Sequence, residues 1–266
     1  VAAGPHRSAG AGPPRIPSHI KHIVAVASGK GGVGKSVVTA LLAVGLARQG
    51  LAVGILDADI TGPSIPRMFG LSTGLMADEG RIVPATSGLG IRVVSAGFLL
   101  EHDDTPIAWR GPMISSAIKQ FYEQTKWGNL DYLFIDLPPG TSDAPLTVLQ
   151  TLPVEGLVVV SSPQVLATAV VSKLVGLAQK LEVPLLGVVE NMSYIRYPGT
   201  NEPYELFGPS QGQKLADLAH SLLLAKLPVD PELSRLCDAG QVESYTCDAC
   251  LSLTGAFTQV VPATVD

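Results

Sequence analysis

The stretch Val24-Ala-Val-Ala-Ser-Gly-Lys-Gly-Gly-Val-Gly-Lys-Ser36 constrains this chain more than any other. An apolar run too short for a core helix meets a cluster of glycines, and a segment rich in Ala, Leu and Val follows, which predicts strand, loop and helix in succession. Glycines at 29, 31, 32 and 34 let the backbone turn tightly and aim successive N–H groups inward. The start of the following helix adds unpaired N–H groups and its positive dipole end, so the whole is a phosphate cradle. Lys35 is placed to reach β- and γ-phosphates and the Ser36 hydroxyl to ligate Mg²⁺. The expected nucleotide-contacting stretch is Gly29, Lys30, Gly31, Gly32, Val33, Gly34, Lys35, Ser36 and Val37.

A chain of 266 residues with 46% apolar and only 5% aromatic side chains suits one large α/β unit. Its parallel strands would be rich in Val, Ile and Leu and covered by Ala- and Leu-rich helices. Alternation of strand and helix patterns from His22 to about Gln241 predicts a doubly wound, mostly parallel sheet of seven or eight strands with helices on both faces. Residues 1–18, made of Gly, Pro and Ala with scattered Arg and His, form an expected flexible segment; 19–240 is the expected ATPase domain and 241–266 an extended tail. No apolar run approaches the roughly 18 residues that span a bilayer, and no secretory signal pattern is visible, which points to the cytosol or an organelle's soluble interior. A net charge of −5 argues against a general grip on nucleic acid or anionic lipid. Three cysteines, two of them as Cys247-Asp-Ala-Cys250, are too few for a disulfide framework and read as reduced thiols or metal ligands.

Along the chain, a strand near residues 52–56 delivers Asp57 and Asp59 to the place where open α/β sheets bind ligands, although Asp also begins turns readily. Residues 72–89 read as a loop or short hairpin, and a strand near 91–95 precedes a helix running to about Thr125. The apolar strand 130–135 ends in Asp136, the pattern of a carboxylate that holds a Mg²⁺-bound water. Later strands near 157–161 and 185–189 flank a helix to about Lys180; the second ends in Glu190-Asn191-Met192. A helix around 211–222, a short strand into Leu227-Pro228 and a helix from Pro231 to about Cys237 complete the alternation.

The second lysine of the loop, Lys30, gives Gly-Lys-Gly-Gly-Val-Gly-Lys-Ser, which resembles the deviant P-loop of the ATPase class that contains the nitrogenase iron protein and the ParA/MinD proteins. Together with Asp57-Ala-Asp-Ile-Thr-Gly-Pro-Ser-Ile-Pro-Arg-Met68, Trp109-Arg-Gly-Pro-Met113, Asp136-Leu-Pro-Pro-Gly-Thr141 and Glu190-Asn-Met-Ser-Tyr194, it resembles the Mrp/ApbC family over about residues 22–241. That resemblance implies a homodimeric iron–sulfur cluster carrier that binds and slowly hydrolyses ATP and serves cluster-accepting proteins. It implies Lys30 acting across the dimer, Asp136 as Walker B carboxylate, Asp59 as switch aspartate for the attacking water, Asp57 nearer the metal, and Asn191 with Pro228 at the base.

One departure cuts against it. Where the family carries Cys-Pro-x-Cys, whose four thiolates across a dimer bridge a 4Fe–4S cluster, this chain reads Tyr197-Pro-Gly-Thr200. Neither a phenol nor a hydroxyl replaces a thiolate on iron. The remaining Cys-x-x-Cys, Cys247 and Cys250, is then a relocated cluster site or a pair of free thiols, and Cys237 reads as a buried small apolar residue. The competing readings are a ParA/MinD-like positioning ATPase without a cluster and a reductase resembling the nitrogenase iron protein.

Overall fold

The structure, a computed structural model, describes residues 18–264 apart from 60–61, 63, 72–75, 79, 96, 98–110, 142 and 198–201. Strand β1 (His19–Ser28) lies inside the main sheet between β7 (Asn129–Asp136) and β8 (Gly156–Ser161), parallel to both. Outward on one side come β2 (Val53–Asp57) and β6 (Arg92–Ser95), and on the other β9 (Leu185–Arg196) and β11 (Leu223–Pro228), all parallel. Two-residue antiparallel strands, β5 (Ala85–Thr86) on β6 and β10 (Pro203–Tyr204) on β9, bring the sheet to nine strands among the described residues. The expected mostly parallel α/β sheet is thus present, widened by these edge pieces. A separate hairpin, β3 (Met76–Asp78) with β4 (Arg81–Val83), occupies the stretch expected to be loop or hairpin.

Because strand side chains alternate, each central strand feeds two cores. Val24 and Val26 of β1, Tyr132 and Phe134 of β7, and Val158 and Val160 of β8 point to one face. There they meet α1 (Lys35–Arg48), α2 (Ile65–Met68), α7 (Pro231–Asp238) and α8 (Asp248–Val260). Ile23, Ala25, Ala27, Leu133, Ile135, Leu157 and Val159 point to the other. That face is covered by α3 (Gly111–Gln124), α4 (Asp143–Thr151), α5 (Val165–Lys180) and α6 (Gly212–Leu218). Near-continuous apolar strands are what a sheet covered on both faces requires.

Three expectations need correction. Helix α4 fills a gap that showed no helix pattern, and β9 runs seven residues past Val189, to Arg196. The third is the extended tail: past Gln241 the chain makes a 3₁₀ turn at Val242–Ser244 and then the 13-residue helix α8. Its buried Leu253, Thr254 and Phe257 share one face with Val261 just beyond, and Phe257 packs on the rings of Tyr132 and Phe134 at 5.7 and 5.6 Å. The Tyr132 hydroxyl donates to the Val261 carbonyl at 2.6 Å, so the end of the helix is tied to the central strand. The Trp109-Arg110 part of the family-like motif lies outside the described residues.

Helix α8 docks on α1 where Gly45 leaves space: a Cβ there would lie 2.1 Å from Thr254 Oγ1. Gly45→Ala gains helix propensity worth up to about 1 kcal/mol, but the overlap opposes it at about 1–3 kcal/mol. Urea unfolding should show net destabilisation, and adding Thr254→Ala should restore part of it. An unchanged midpoint for Gly45→Ala would mean that α8 does not sit this close to α1.

Candidate functional site

The candidate site forms at the carboxyl ends of β1, β2 and β7, where parallel sheets place their ligands. Register does the assembly: Asp57 pairs with Asp136 across β2 and β7, and Val26, two residues before Ser28, pairs with Asp136 across β1 and β7. The loop after β1 turns through left-handed glycines, Gly32 at φ 81° and Gly34 at φ 80°. Gly34 is also sterically required, since a Cβ there would lie 2.2 Å from Asn191 Nδ2. That amide donates to the Val33 carbonyl at 2.9 Å and clamps the loop to β9. Gly34 caps α1 with no side-chain acceptor, and the first turn carries no acidic residue, which leaves the helix N–H groups to an anion.

Beneath the loop, Lys35 is 6% exposed and its ammonium lies 2.7 Å from Asp136 Oδ2. Ser36 Oγ donates to the same oxygen at 2.5 Å, and Lys35 Nζ donates to Ser36 Oγ at 3.2 Å. Thr39, which the sequence reading passed over, donates to Asp136 Oδ1 at 2.8 Å. Its signal was available: it lies one turn beyond Lys35 on the inward face of α1.

Asp57 is fully buried, accepting from Ser95 Oγ at 3.0 Å and from the Asp59 N–H at 3.1 Å. Burial first, and the Asp136 charge second, push its carboxyl up to about 8, against the opposing pull of Lys35. Ser36, Asp57 and Asp136 offer hard oxygen donors, and a divalent cation would relieve the repulsion between the two carboxylates, so they suit Mg²⁺. Ser95 and its own support, the Gly97 N–H at 3.1 Å, could not be found in sequence, because only the sheet register brings them opposite Asp57.

Asp59 is buried at 8% exposure on the loop after β2. Lys30 donates to Gln164 Oε1 of its own chain, a partner the sequence did not suggest, and Ser28 Oγ holds the Lys30 carbonyl at 3.0 Å. Beside Gly34 opens a mostly apolar cleft of about 330 Å³, walled by Val37, Asn191, Met192, Phe207, Pro228 and Leu233. Cys237 lines the same cleft, half-buried rather than fully enclosed, with burial raising its thiol pKa. Asp230 lines it too, caps α7 through the Glu232 N–H at 2.9 Å, and accepts from the Tyr245 hydroxyl at 2.7 Å.

The relocated cluster site fares differently. Cys247 and Cys250 are joined as a disulfide at the start of α8, so neither sulfur is a thiolate ligand in this state. They face the second half of α1, about 10–20 Å along the helix from the phosphate cradle. Among the described residues no group of three or more His, Cys, Asp and Glu is arranged to hold a metal ion. Of the segment Tyr197-Pro-Gly-Thr200, Tyr197 is exposed, and 198–200 lie outside the described residues.

The profile of the ParA family described as NUBPL iron-transfer P-loop NTPase matches residues 19–262. The iron-sulfur cluster carrier protein of Aquifex aeolicus is 43% identical over 255 residues, covering 93% of this chain and 70% of that protein. The carrier protein of Pseudomonas fragi is 47% identical over 84% of this chain and 78% of its own length. Among solved structures, a nucleotide-binding protein of Archaeoglobus fulgidus in complex with ADP, with cobalt found in it, is 45% identical. It has a TM-score of 0.77, over 86% of this chain and 90% of that one. The cell division ATPase MinD of Pyrococcus furiosus shares the fold at 22% identity and TM-score 0.66, over 91% of this chain and 100% of its own.

A raised carboxyl pKa has a testable sign. Asp57 goes from 3.8 to about 8, so its contribution to stability is present at low pH and is lost as pH rises from about 4 through about 8. Nucleotide-free protein should therefore lose urea resistance across that window relative to Asp57→Asn. Parallel pH profiles of the two proteins would show that Asp57 ionises without penalty.

Proposed function

Because this chain belongs to the ParA family of NUBPL iron-transfer P-loop NTPases, we propose that it binds and slowly hydrolyses ATP as a homodimer, and that this cycle serves the assembly or transfer of iron–sulfur clusters. The observation that carries the reading is the ion pair of buried Lys35 and Asp136, joined by half-buried Ser36, beneath an uncapped helix end with an apolar cleft beside it.

The roles follow from position. The loop N–H groups and Lys35 hold the phosphates, and the base enters the cleft against Val37, Phe207 and Pro228 with the Asn191 amide at its edge. Ser36 and Asp136, with Asp57 behind them, would hold Mg²⁺, which when bound neutralises phosphate charge. Asp59 orients a water whose oxygen attacks the γ-phosphorus while the bond to the bridging oxygen breaks, leaving ADP and phosphate. Lys30 leaves Gln164 to meet the partner subunit's phosphates, and ATP thereby favours the dimer. The cluster is cargo. Own-chain thiolates for it come from Cys247 and Cys250 in their reduced form, contributed by two subunits to reach four sulfurs. Acceptors of the cluster are the expected partners. The positioning-ATPase alternative has only fold likeness behind it, at 22% identity. No helix among the described residues is long and apolar enough to cross a membrane.

Lys35→Ala should weaken ATP binding roughly 10- to 100-fold, the worth of a charge-assisted contact. Asp59→Asn should keep nucleotide and lose turnover by about 100-fold or more. Turnover at the wild-type rate in Asp59→Asn would remove its catalytic role. In sedimentation, a non-hydrolysable ATP analogue should shift wild type toward dimer but not Lys30→Ala; equal monomer fractions in all samples would remove the trans role. For the cargo, anaerobic reconstitution should load iron and sulfide on the reduced wild type and not on Cys247→Ser/Cys250→Ser. Equal loading of the two would place the cluster elsewhere.

A further inference from the structure

We propose that Cys247 and Cys250 are a thiol–disulfide exchange site, with Cys247 the attacking sulfur and a disulfide-bearing molecule as substrate. The inference does not rest on the ATPase reading and stands whether or not the dithiol also carries iron. It starts from the bond itself: the two sulfurs are already joined across two intervening residues, at the first turn of a helix 13 residues long. Cys247 is the N-cap, and its Sγ accepts the Cys250 N–H at 3.1 Å, so it stands ahead of the first turn while Cys250 lies within it. Arg48 brings a cation to the same groove, held there by its donation to the Tyr245 carbonyl at 3.0 Å.

A purely stabilising role explains the bond poorly. Closing so small a loop removes far less chain entropy than a long one. Helix α8 is meanwhile anchored without it, by buried Leu253 and Phe257 and by the Tyr132 to Val261 hydrogen bond. Both cysteines are half-buried residues and border a groove of about 200 Å³ with Leu41, Val44 and Leu251 on its walls. Leu251 is 67% exposed, an open apolar side chain beside the reactive pair, suited to the flank of an incoming disulfide.

The chemistry closes on itself. The Cys247 thiolate attacks one sulfur of R–S–S–R′, forming Cys247–S–S–R and releasing R′–S⁻, which takes a proton from water. Cys250, having given its proton to water, then displaces R–S⁻ and leaves the Cys247–Cys250 disulfide. Two electrons pass from the dithiol to the substrate, which departs as two thiols; a dithiol reductant runs the sequence backwards.

The test uses the full chain, reduced, with oxidised glutathione as the probe, followed by alkylation and peptide mapping. Wild type should end as the internal disulfide with two glutathione thiols released per chain. Cys250→Ser should stop as a mixed disulfide on Cys247, and Cys247→Ser should react at Cys250 at least about tenfold more slowly. Cys237 in the same samples is an internal slow reference, its thiol raised by burial. Far-UV circular dichroism shows that each variant keeps its helices, so a lost rate is not a lost fold. Equal rates for Cys247, Cys250 and Cys237, or a wild type that stays a dithiol under excess oxidised glutathione, would overturn the proposal.

Discussion

The carboxylate of Asp136 is completely shielded from solvent, and its two oxygens are met by Lys35, Ser36 and Thr39. An ion taken this far from water costs several kcal/mol unless it is paired and hydrogen-bonded. Here one helix supplies all three partners. Strand β7 delivers the acid and α1 delivers the base and two hydroxyls, so the junction of P-loop and sheet depends on this one charge being answered. Breaking such a buried pair typically costs about 3–5 kcal/mol, and this is why the site and the fold are not separable here.

The second carboxylate shows the same physics left unbalanced. Asp57 lies beside Asp136 through strict register, has Ser95 and one backbone N–H for company, and shares a single lysine with its neighbour. Burial first and the Asp136 charge second raise its pKa, and the shared lysine does not offset them. A site that is short of one cation when alone is well matched to a metal-bound polyphosphate ligand.

Legibility from sequence followed how local each signal is. The phosphate loop, Asp57 and Asp136 could be read because each is an apolar strand ending in a specific residue, and the strand and helix alternation fixed a parallel sheet of about the right width. Thr39 could be reached only through its helical spacing from Lys35, and Ser95 and Gln164 not at all. Each is an ordinary polar residue until register or loop closure brings it against Asp136, Asp57 or Lys30. Helix α8 escaped for another reason. After Asp248 it carries no charged residue, so only Ser252 and Gln259 contrast weakly with Leu253, Phe257 and Val261, and its stability comes from docking on Gly45 and on the rings of β7. The proposed cluster site was the least legible, because Tyr197 stands where the resemblance implies a cysteine, and Cys247 and Cys250 at the start of α8 face the second half of α1.

The central claim is that Asp136 links the phosphate loop to a metal-dependent nucleotide site. Calorimetric titration of ATP into wild type and Asp136→Asn, each with and without Mg²⁺, tests it most directly. The account predicts that Mg²⁺ strengthens ATP binding by wild type roughly tenfold or more, the scale of a charged contact, and that Asp136→Asn no longer responds to the ion. An equal Mg²⁺ effect in both proteins would contradict it.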